Sequence, residues 1–346
     1  MLQDRIELYK KIEKERNSKL LVFVTGDRQN LETQISSEMQ DYFVNHLDRF
    51  NLPKKLSLYL YTRGGDTMAA WSLINLIKQF CDEYEVIVPS KARSAGTLIC
   101  LGAKNIVMTK QATLGPIDPT LNSPLNPQNP TFPQNPQARV PVSVESIKGY
   151  FEYAKQELKI KNENDLAKIF IGLSGMIHPT VIGNVFRSRS QIQMLGNKLL
   201  NEHFKDKKKI NKIISFLCSD SGSHDYPIYR REARNDLGLK IETPSPDFYK
   251  TIKSVYDSIH TELELSKNYD PNVILGTNNT ANYSFRRVII ESIEGGTDVF
   301  KSEGTVNRSQ IPIQQGMPGI PGIPNLLGLQ RIAIEDQRKF EGWRHD

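Results

Sequence analysis

Cysteine is scarce in this chain, and tryptophan scarcer: three of the first and two of the second in 346 residues. Cys81, Cys100 and Cys218 are odd in number, widely scattered and without metal-ligand spacing. That excludes a disulfide framework and suggests buried thiols in a reducing compartment. No apolar run approaches the ~20 residues of a membrane-spanning helix, and the N-terminus lacks a signal peptide's apolar core. A cytoplasmic protein with no membrane span is the expectation. An excess of one charge is also missing: Lys and Arg number 45 against 39 Asp and Glu, net +6, and the basic residues are dispersed. The one cluster, Lys205-Asp206-Lys207-Lys208-Lys209, reads as a solvated helix end, so no nucleic-acid partner is expected. There is no internal repeat and no phosphate-binding loop for ATP. No cofactor is implied, neither a metal nor an organic group.

What is present is alternation. Lys19 to Thr25 is a continuous buried strand, Ser36 to Phe50 a helix, Leu56 to Tyr61 a strand, Thr67 to Phe80 an apolar-faced helix and Val86 to Val88 a strand. Short strands follow at Asn105–Thr109 and Ala112–Leu114. Such a sequence marks a mostly parallel sheet with crossover helices. Ahead of it, residues 3–17 form a charged amphipathic helix with Ile6, Leu8, Tyr9 and Ile12 along one side. Seven prolines between Pro119 and Pro141 forbid a regular helix there and predict a long surface loop. Ser143 to Phe216 is mainly helical, Arg231–Leu239 a short helix ending at glycine, and Pro246–Leu265 another helix. Tyr283–Ser292 reads as a strand, with a partner at Asp298–Ser302 after Gly295-Gly296. The Pro/Gly-rich tail around 316–324 cannot fold by itself, and a short helix is predicted over Ile332–Phe340.

Two strand–turn–helix units carry the chemistry. In one, Pro89 and a short basic turn lead to Ser94 at the first turn of a helix of small residues. Unpaired amides there favour an anion, so Ser94 reads either as a helix cap or as a nucleophile beside an oxyanion site. In the other, Thr62-Arg63-Gly64-Gly65-Asp66 follows a strand, and its glycines let a backbone amide come close to a ligand. Together the units would hold two amide donors near one hydroxyl.

The Thr62–Asp66 turn, followed thirty residues after Gly64 by Ser94-Ala95-Gly96, resembles the Clp/crotonase superfamily of peptidases. Leu114-Gly115-Pro116-Ile117-Asp118-Pro119 and His224-Asp225-Tyr226-Pro227-Ile228 narrow the likeness to the serine dehydrogenase proteinase family, relatives of Clp-type peptidases and signal peptide peptidase A. The resemblance covers about residues 18–245. It implies an α/β fold, a Clp/crotonase-like spiral of β-β-α units with a helical extension and a small C-terminal β-containing region. It also implies an ATP-independent serine endopeptidase acting on a peptide or protein substrate, and a homo-oligomer. Laid on the family's pattern, Ser94 is the nucleophile, His224 the general base and acid, and Asp118 the group that orients the imidazole. Asp225 is a substitute orienter. Gly64 and Ala95 supply the oxyanion amides, with Gly65 in support. Relatives usually have proline where this chain has Arg63, a cation that can pair with Asp66 or with a substrate carboxylate.

Lys148 is the rival base, because signal peptide peptidase A uses a Ser–Lys dyad, and a lysine serves once burial lowers its pKa. His178, before Pro179, reads as a helix cap. Two other functional classes stay open, a non-peptidase crotonase-fold acyl-coenzyme A enzyme and a catalytically silent oligomeric scaffold. The expected division is an N-terminal helix at 1–17, a peptidase unit at 18–245 containing the Pro-rich loop 119–141, an extension at 246–310 and a tail at 311–346. The loop follows Asp118 directly, which suits a lid over the site.

Overall fold

The computed structural model describes the chain except residues 118–119, 122 and 313–329. Helix α1 (Leu2–Arg16) precedes strand β1 (Lys19–Thr25), helix α2 (Met39–Leu47), strand β2 (Lys55–Tyr61), helix α3 (Thr67–Phe80) and strand β3 (Glu83–Val88). Then come β4 (Lys91–Ala92), α4 (Ala95–Leu101), β5 (Asn105–Met108), β6 (Thr113–Leu114) and the short pair β7 (Thr120–Leu121) and β8 (Val142–Ser143). Helices α5 (Val144–Gln156), α6 (Glu163–Met176), α7 (Pro179–Asn201) and α8 (Lys207–Ser215) form the helical extension. The chain closes with β9 (Ile228–Tyr229), α9 (Arg230–Asn235), β10 (Ile241–Glu242), α10 (Pro246–Glu262), α11 (Pro271–Leu275), β11 (Thr280–Ser292), β12 (Gly296–Pro312) and β13 (Gln330–His345).

The main sheet has the order β10-β5-β3-β2-β1-β11-β12-β13. Its first five strands are mutually parallel, and the last three join antiparallel. Alternation along β1 divides its side chains between two cores. Leu21 and Phe23 face α2, α3 and α4, whereas Leu20, Val22 and Val24 face α1 and α10. Both faces are covered, which is why the strand reads as an unbroken apolar run. Helix α3 shows the local logic. Asp66, extended at φ −65°, ψ 120°, accepts the Met68 and Ala69 amides, and Ala69, Ala70, Leu73, Ile74 and Ile77 follow on one buried stripe.

Two features depart from the sequence reading. Helix α1 buries not only Tyr9 and Ile12 but Arg5, which is fully enclosed. Its guanidinium bonds Glu291 through Nη2 at 2.6 Å and Nε at 3.1 Å, and Glu262 through Nη1 at 2.6 Å. The short helix predicted over Ile332–Phe340 is absent, because that segment lies within β13. Pairing satisfies the outer edge of β12 along its length. It also carries Trp343 back onto Tyr42, stacked at 4.2 Å between ring centres, so tertiary contact overrides helix propensity. The Pro-rich segment is a surface loop, as expected, and it is built from successive turns. Within residues 123–141, amide-to-carbonyl bonds join Phe132 to Asn129, Asn135 to Phe132 and Ala138 to Asn135, while β7 and β8 pair across its base. The Pro/Gly run at 316–324 lies outside the described residues.

No single helix among the described residues is long and apolar enough to cross a membrane. The pair α6 and α7, bent by 106°, passes on length and composition taken together.

Candidate active site

Ser94 stands at the N-terminus of α4 with φ 51° and ψ −119°, a backbone conformation L-residues rarely adopt. Holding a non-glycine residue there costs about 1–3 kcal/mol and needs surroundings that enforce it. Its hydroxyl makes no capping bond to the helix, so the capping role is not taken up and the oxygen is left for other chemistry. A sharp strained turn from strand to helix is a known way to present a nucleophilic serine.

The surroundings that enforce this conformation are largely backbone. Thr62 pairs with Ala92 beyond the end of β2, its amide donating to Lys91 O and its carbonyl accepting from the Arg93 amide, both at 3.1 Å. Gly64, at φ 111°, then packs against the serine: a Cβ on it would stand 2.7 Å from Ser94 Cβ and 2.8 Å from Arg93 O. No side chain fits. Gly65 is pinned from the other side, since the Ile35 amide donates to Gly64 O at 2.9 Å and the Asp66 amide to Ile35 O at 2.8 Å.

The amides of the site differ in availability. Gly64 N–H donates to Thr62 Oγ1 at 3.0 Å. Among the described residues, the Ala95 and Gly65 amides have no hydrogen-bond acceptor. Asp66 uses its carboxylate on the α3 amides. Arg63 is exposed and forms no ion pair among the described residues, so the expected pairing with Asp66 is not made. Cys100, on the nucleophile's own helix, has its thiol pushed up by burial, which keeps it protonated and inert.

A second residue that the sequence reading passed over is Thr97, fully buried one turn along α4. Its hydroxyl lies 2.9 Å from Ala92 O and 2.8 Å from Gly115 O, and accepts the Gly115 amide at 3.0 Å. One hydroxyl has one proton, so it donates to one carbonyl at a time. It joins the strand entering Ser94 to the strand leaving toward residue 118. The hint in the sequence was a threonine inside a run of small and apolar residues.

A small sheet, β4-β6-β9, arranges the rest. Ala92, Leu114 and Ile228 lie in one row across it, β4 parallel to β6 and β9 antiparallel. Ser94 follows Ala92 and His224 precedes Ile228, so both leave the sheet at the same end, with two strand spacings, about 10 Å, between their strands. His224 sits exposed in a turn with Asp225, whose amide donates to Ser223 Oγ at 3.2 Å. Asp118 lies outside the described residues. The chain just before it is tied down by the Ile117 amide, which donates to Leu217 O at 2.8 Å. Lys148 lies on α5, half-buried, 3.4 Å from Glu152 Oε1. His178 caps α7, its Nδ1 accepting the Thr180 amide at 3.2 Å. Among the described residues no group of three or more His, Cys, Asp or Glu could hold a metal ion.

A mostly parallel sheet flanked by helices, a glycine turn backed onto a strained serine and a C-terminal β region define the class: an α/β protein with the elements that the Clp/crotonase resemblance implies. Residues 47–128, which contain both turns, match the family of ClpP-like SDH-type serine proteinases. Two uncharacterized proteins of Methanocaldococcus jannaschii are similar. One is 30% identical over 203 residues, 59% of this chain and 59% of its own length. The other is 25% identical over 191 residues, 55% of this chain and 53% of its own. The chain thus spans little more than half of each of these relatives. Among solved structures, a membrane-bound stomatin-specific protease aligns at 22% identity over 39% of this chain and 60% of that one, TM-score 0.27. ClpP1 from Listeria monocytogenes aligns at 14% identity over 70% and 99%, TM-score 0.36.

Proposed function

We propose that the chain is an ATP-independent serine endopeptidase with Ser94 as its nucleophile. One observation carries the reading: a buttressed, strained serine whose hydroxyl caps nothing, packed against a glycine that admits no side chain. In the proposed cycle the Ser94 proton passes to His224 as Oγ attacks the peptide carbonyl. Asp118 orients the imidazole, with Asp225 as its substitute. The developing oxyanion is met by the Ala95 amide and by Gly65. Gly64 joins only by giving up its bond to Thr62 Oγ1. The imidazolium then protonates the leaving amine, and water, activated by the same base, releases the acyl group.

His224 is favoured because it shares an end of the small sheet with Ser94. Lys148 remains the competing base, in a Ser94–Lys148 dyad. It stands on the helix that begins after β8, whose partner β7 lies just past residue 119. The peptidase unit is taken as 18–245, with residues 119–141 as a lid. The assembly is taken as a homo-oligomer acting on peptide or protein substrate in the cytoplasm. A fluorophosphonate probe tests the core of this. It should label the wild type and not Ser94→Ala, and casein turnover should vanish in the same variant. Labelling that survives Ser94→Ala would end the proposal. Turnover kept by His224→Ala but lost in Lys148→Ala would move the base to the lysine. No labelling and no turnover at any pH would favour a silent scaffold, and thioester turnover without labelling an acyl-coenzyme A enzyme.

A further inference from the structure

The large sheet ends at β13, whose outer edge pairs with no strand among the described residues. A long exposed edge is a template for another strand. The middle of β13 reads Ile334-Glu335-Asp336-Gln337-Arg338-Lys339-Phe340: apolar, acidic, acidic, Gln, basic, basic, apolar. Such a segment is complementary to itself when reversed. We propose that β13 pairs antiparallel with β13 of a second copy of this chain, about a twofold axis through Gln337. The proposal deepens the homo-oligomer reading by naming a surface for it.

The register follows from geometry and charge. Antiparallel strands alternate hydrogen-bonded and non-hydrogen-bonded pairs. A twofold axis must therefore pass through a residue facing its own copy, since any other placement would make one pair both kinds at once. With the axis at Gln337, Asp336 faces Arg338 and Glu335 faces Lys339 at the bulge that ends the paired stretch, each pair occurring twice. With the axis at Asp336 or at Arg338, that residue faces its own like charge.

Side-chain environments agree. Glu335 and Lys339 are exposed, and neither forms an ion pair among the described residues. Lys339 is the residue inserted at the register shift opposite Glu303 and Gly304, so β12 offers it no cross-strand partner. Bulges twist an edge and discourage long ladders, which confines the pairing to this short stretch. Asp336 is held by the Tyr269 and Tyr283 hydroxyls at 2.5 and 2.7 Å, which anchors the centre of the segment on the body of the protein.

Charge exchange on the two unpaired residues tests the surface, read by sedimentation of the full chain at low salt. Glu335→Lys alone, or Lys339→Glu alone, places like charges opposite each other twice per dimer and should weaken association about tenfold. The double exchange Glu335→Lys with Lys339→Glu restores both pairs and should restore association. An equimolar mixture of the two single variants should do the same, a rescue that misfolding would not give. In a Cys81→Ser background, Gln337→Cys should then form an intermolecular disulfide on mild oxidation. Cross-linking through Ala333→Cys instead would overturn this register. An oligomer indifferent to every exchange would overturn the surface while leaving the homo-oligomer reading intact. A wild-type chain that stays monomeric would sink both.

Discussion

The two faces of the sheet are held by different chemistry. On the Ser94 face, order at the site comes from backbone packed on backbone: Gly64 against Ser94, Gly65 against Ile35, and neutral hydroxyls of Thr62 and Thr97. On the opposite face, α1 is docked by charges. Arg5 meets Glu291 and Glu262, and Arg16 meets Glu85 through Nη2 at 2.7 Å and Glu242 through Nη1 at 2.6 Å. A site framed mainly by backbone and neutral hydroxyls can leave its own ionisation to the reaction. A docking helix held by buried ions is strong only while every partner is present and charged.

The largest expected effect separates chemistry from fold on the first face. Ser94→Ala should cost roughly a thousandfold or more in turnover and leave thermal unfolding nearly unchanged. Ser94→Gly should be equally inactive yet more stable, because glycine accepts φ 51° without strain. An active Ser94→Gly enzyme would remove the serine from the chemistry. A less stable one would mean that the strain is not real.

On the other face, Arg5→Met should leave two acidic partners buried without their cation. Removing one member of a buried ion pair costs about 3–5 kcal/mol, which calorimetry would register as a large fall in Tm. Probe labelling of whatever remains folded should be unaffected, since Arg5 touches nothing in the site. Equal losses of labelling rate and of stability would show that the faces are coupled.

Acid should find the same weak face. Burial alone would raise the Glu85 pKa, but bonds from Arg16, Ser57 and Lys55 outweigh it and hold the carboxyl below its ordinary value. Burial likewise disfavours the ionised form of Glu262, and Arg5 and Arg286 overcome that cost and hold its carboxyl below the ordinary value. A carboxyl whose pKa is lower folded than unfolded adds stability above the ordinary carboxylate range. That stability is lost as pH falls through the folded value. Stability should therefore drop at pH below about 4, less steeply in Arg5→Met, where Glu262 has lost a partner. Parallel pH curves for the two proteins would refute this assignment.

The same contrast governs what could be read in the sequence. The glycine turn and Ser94 were legible because both depend on residues close in the chain and on types with few other uses. The alternation of strand and helix, with Leu-Leu-Val-Phe-Val doubly buried in β1, was legible for the same reason. Arg5 was not, because its partner Glu291 stands 286 residues away and a charged residue on a charged helix looks solvated. The strand at Ile332–Phe340 was missed since only the waiting edge of β12 makes it one. The base could not be chosen either. His224 and Lys148 sit in segments whose approach to Ser94 is decided by tertiary packing.

Thr97 gives the smallest of the expected effects and the sharpest test of the backbone-built face. Removing its hydroxyl leaves the Gly115 amide without its acceptor in a dry interior, and an unsatisfied buried group costs about 1–3 kcal/mol. Thr97→Val keeps the shape and loses the bonds, whereas Thr97→Ser keeps the hydroxyl. If the threonine positions Ser94 relative to the strand that leads to residue 118, Thr97→Val should lower kcat about tenfold at constant KM, and Thr97→Ser should recover most of it. A loss in stability with kcat untouched would reduce the residue to a structural tie, because a tie holds the fold together and leaves the angle of attack alone.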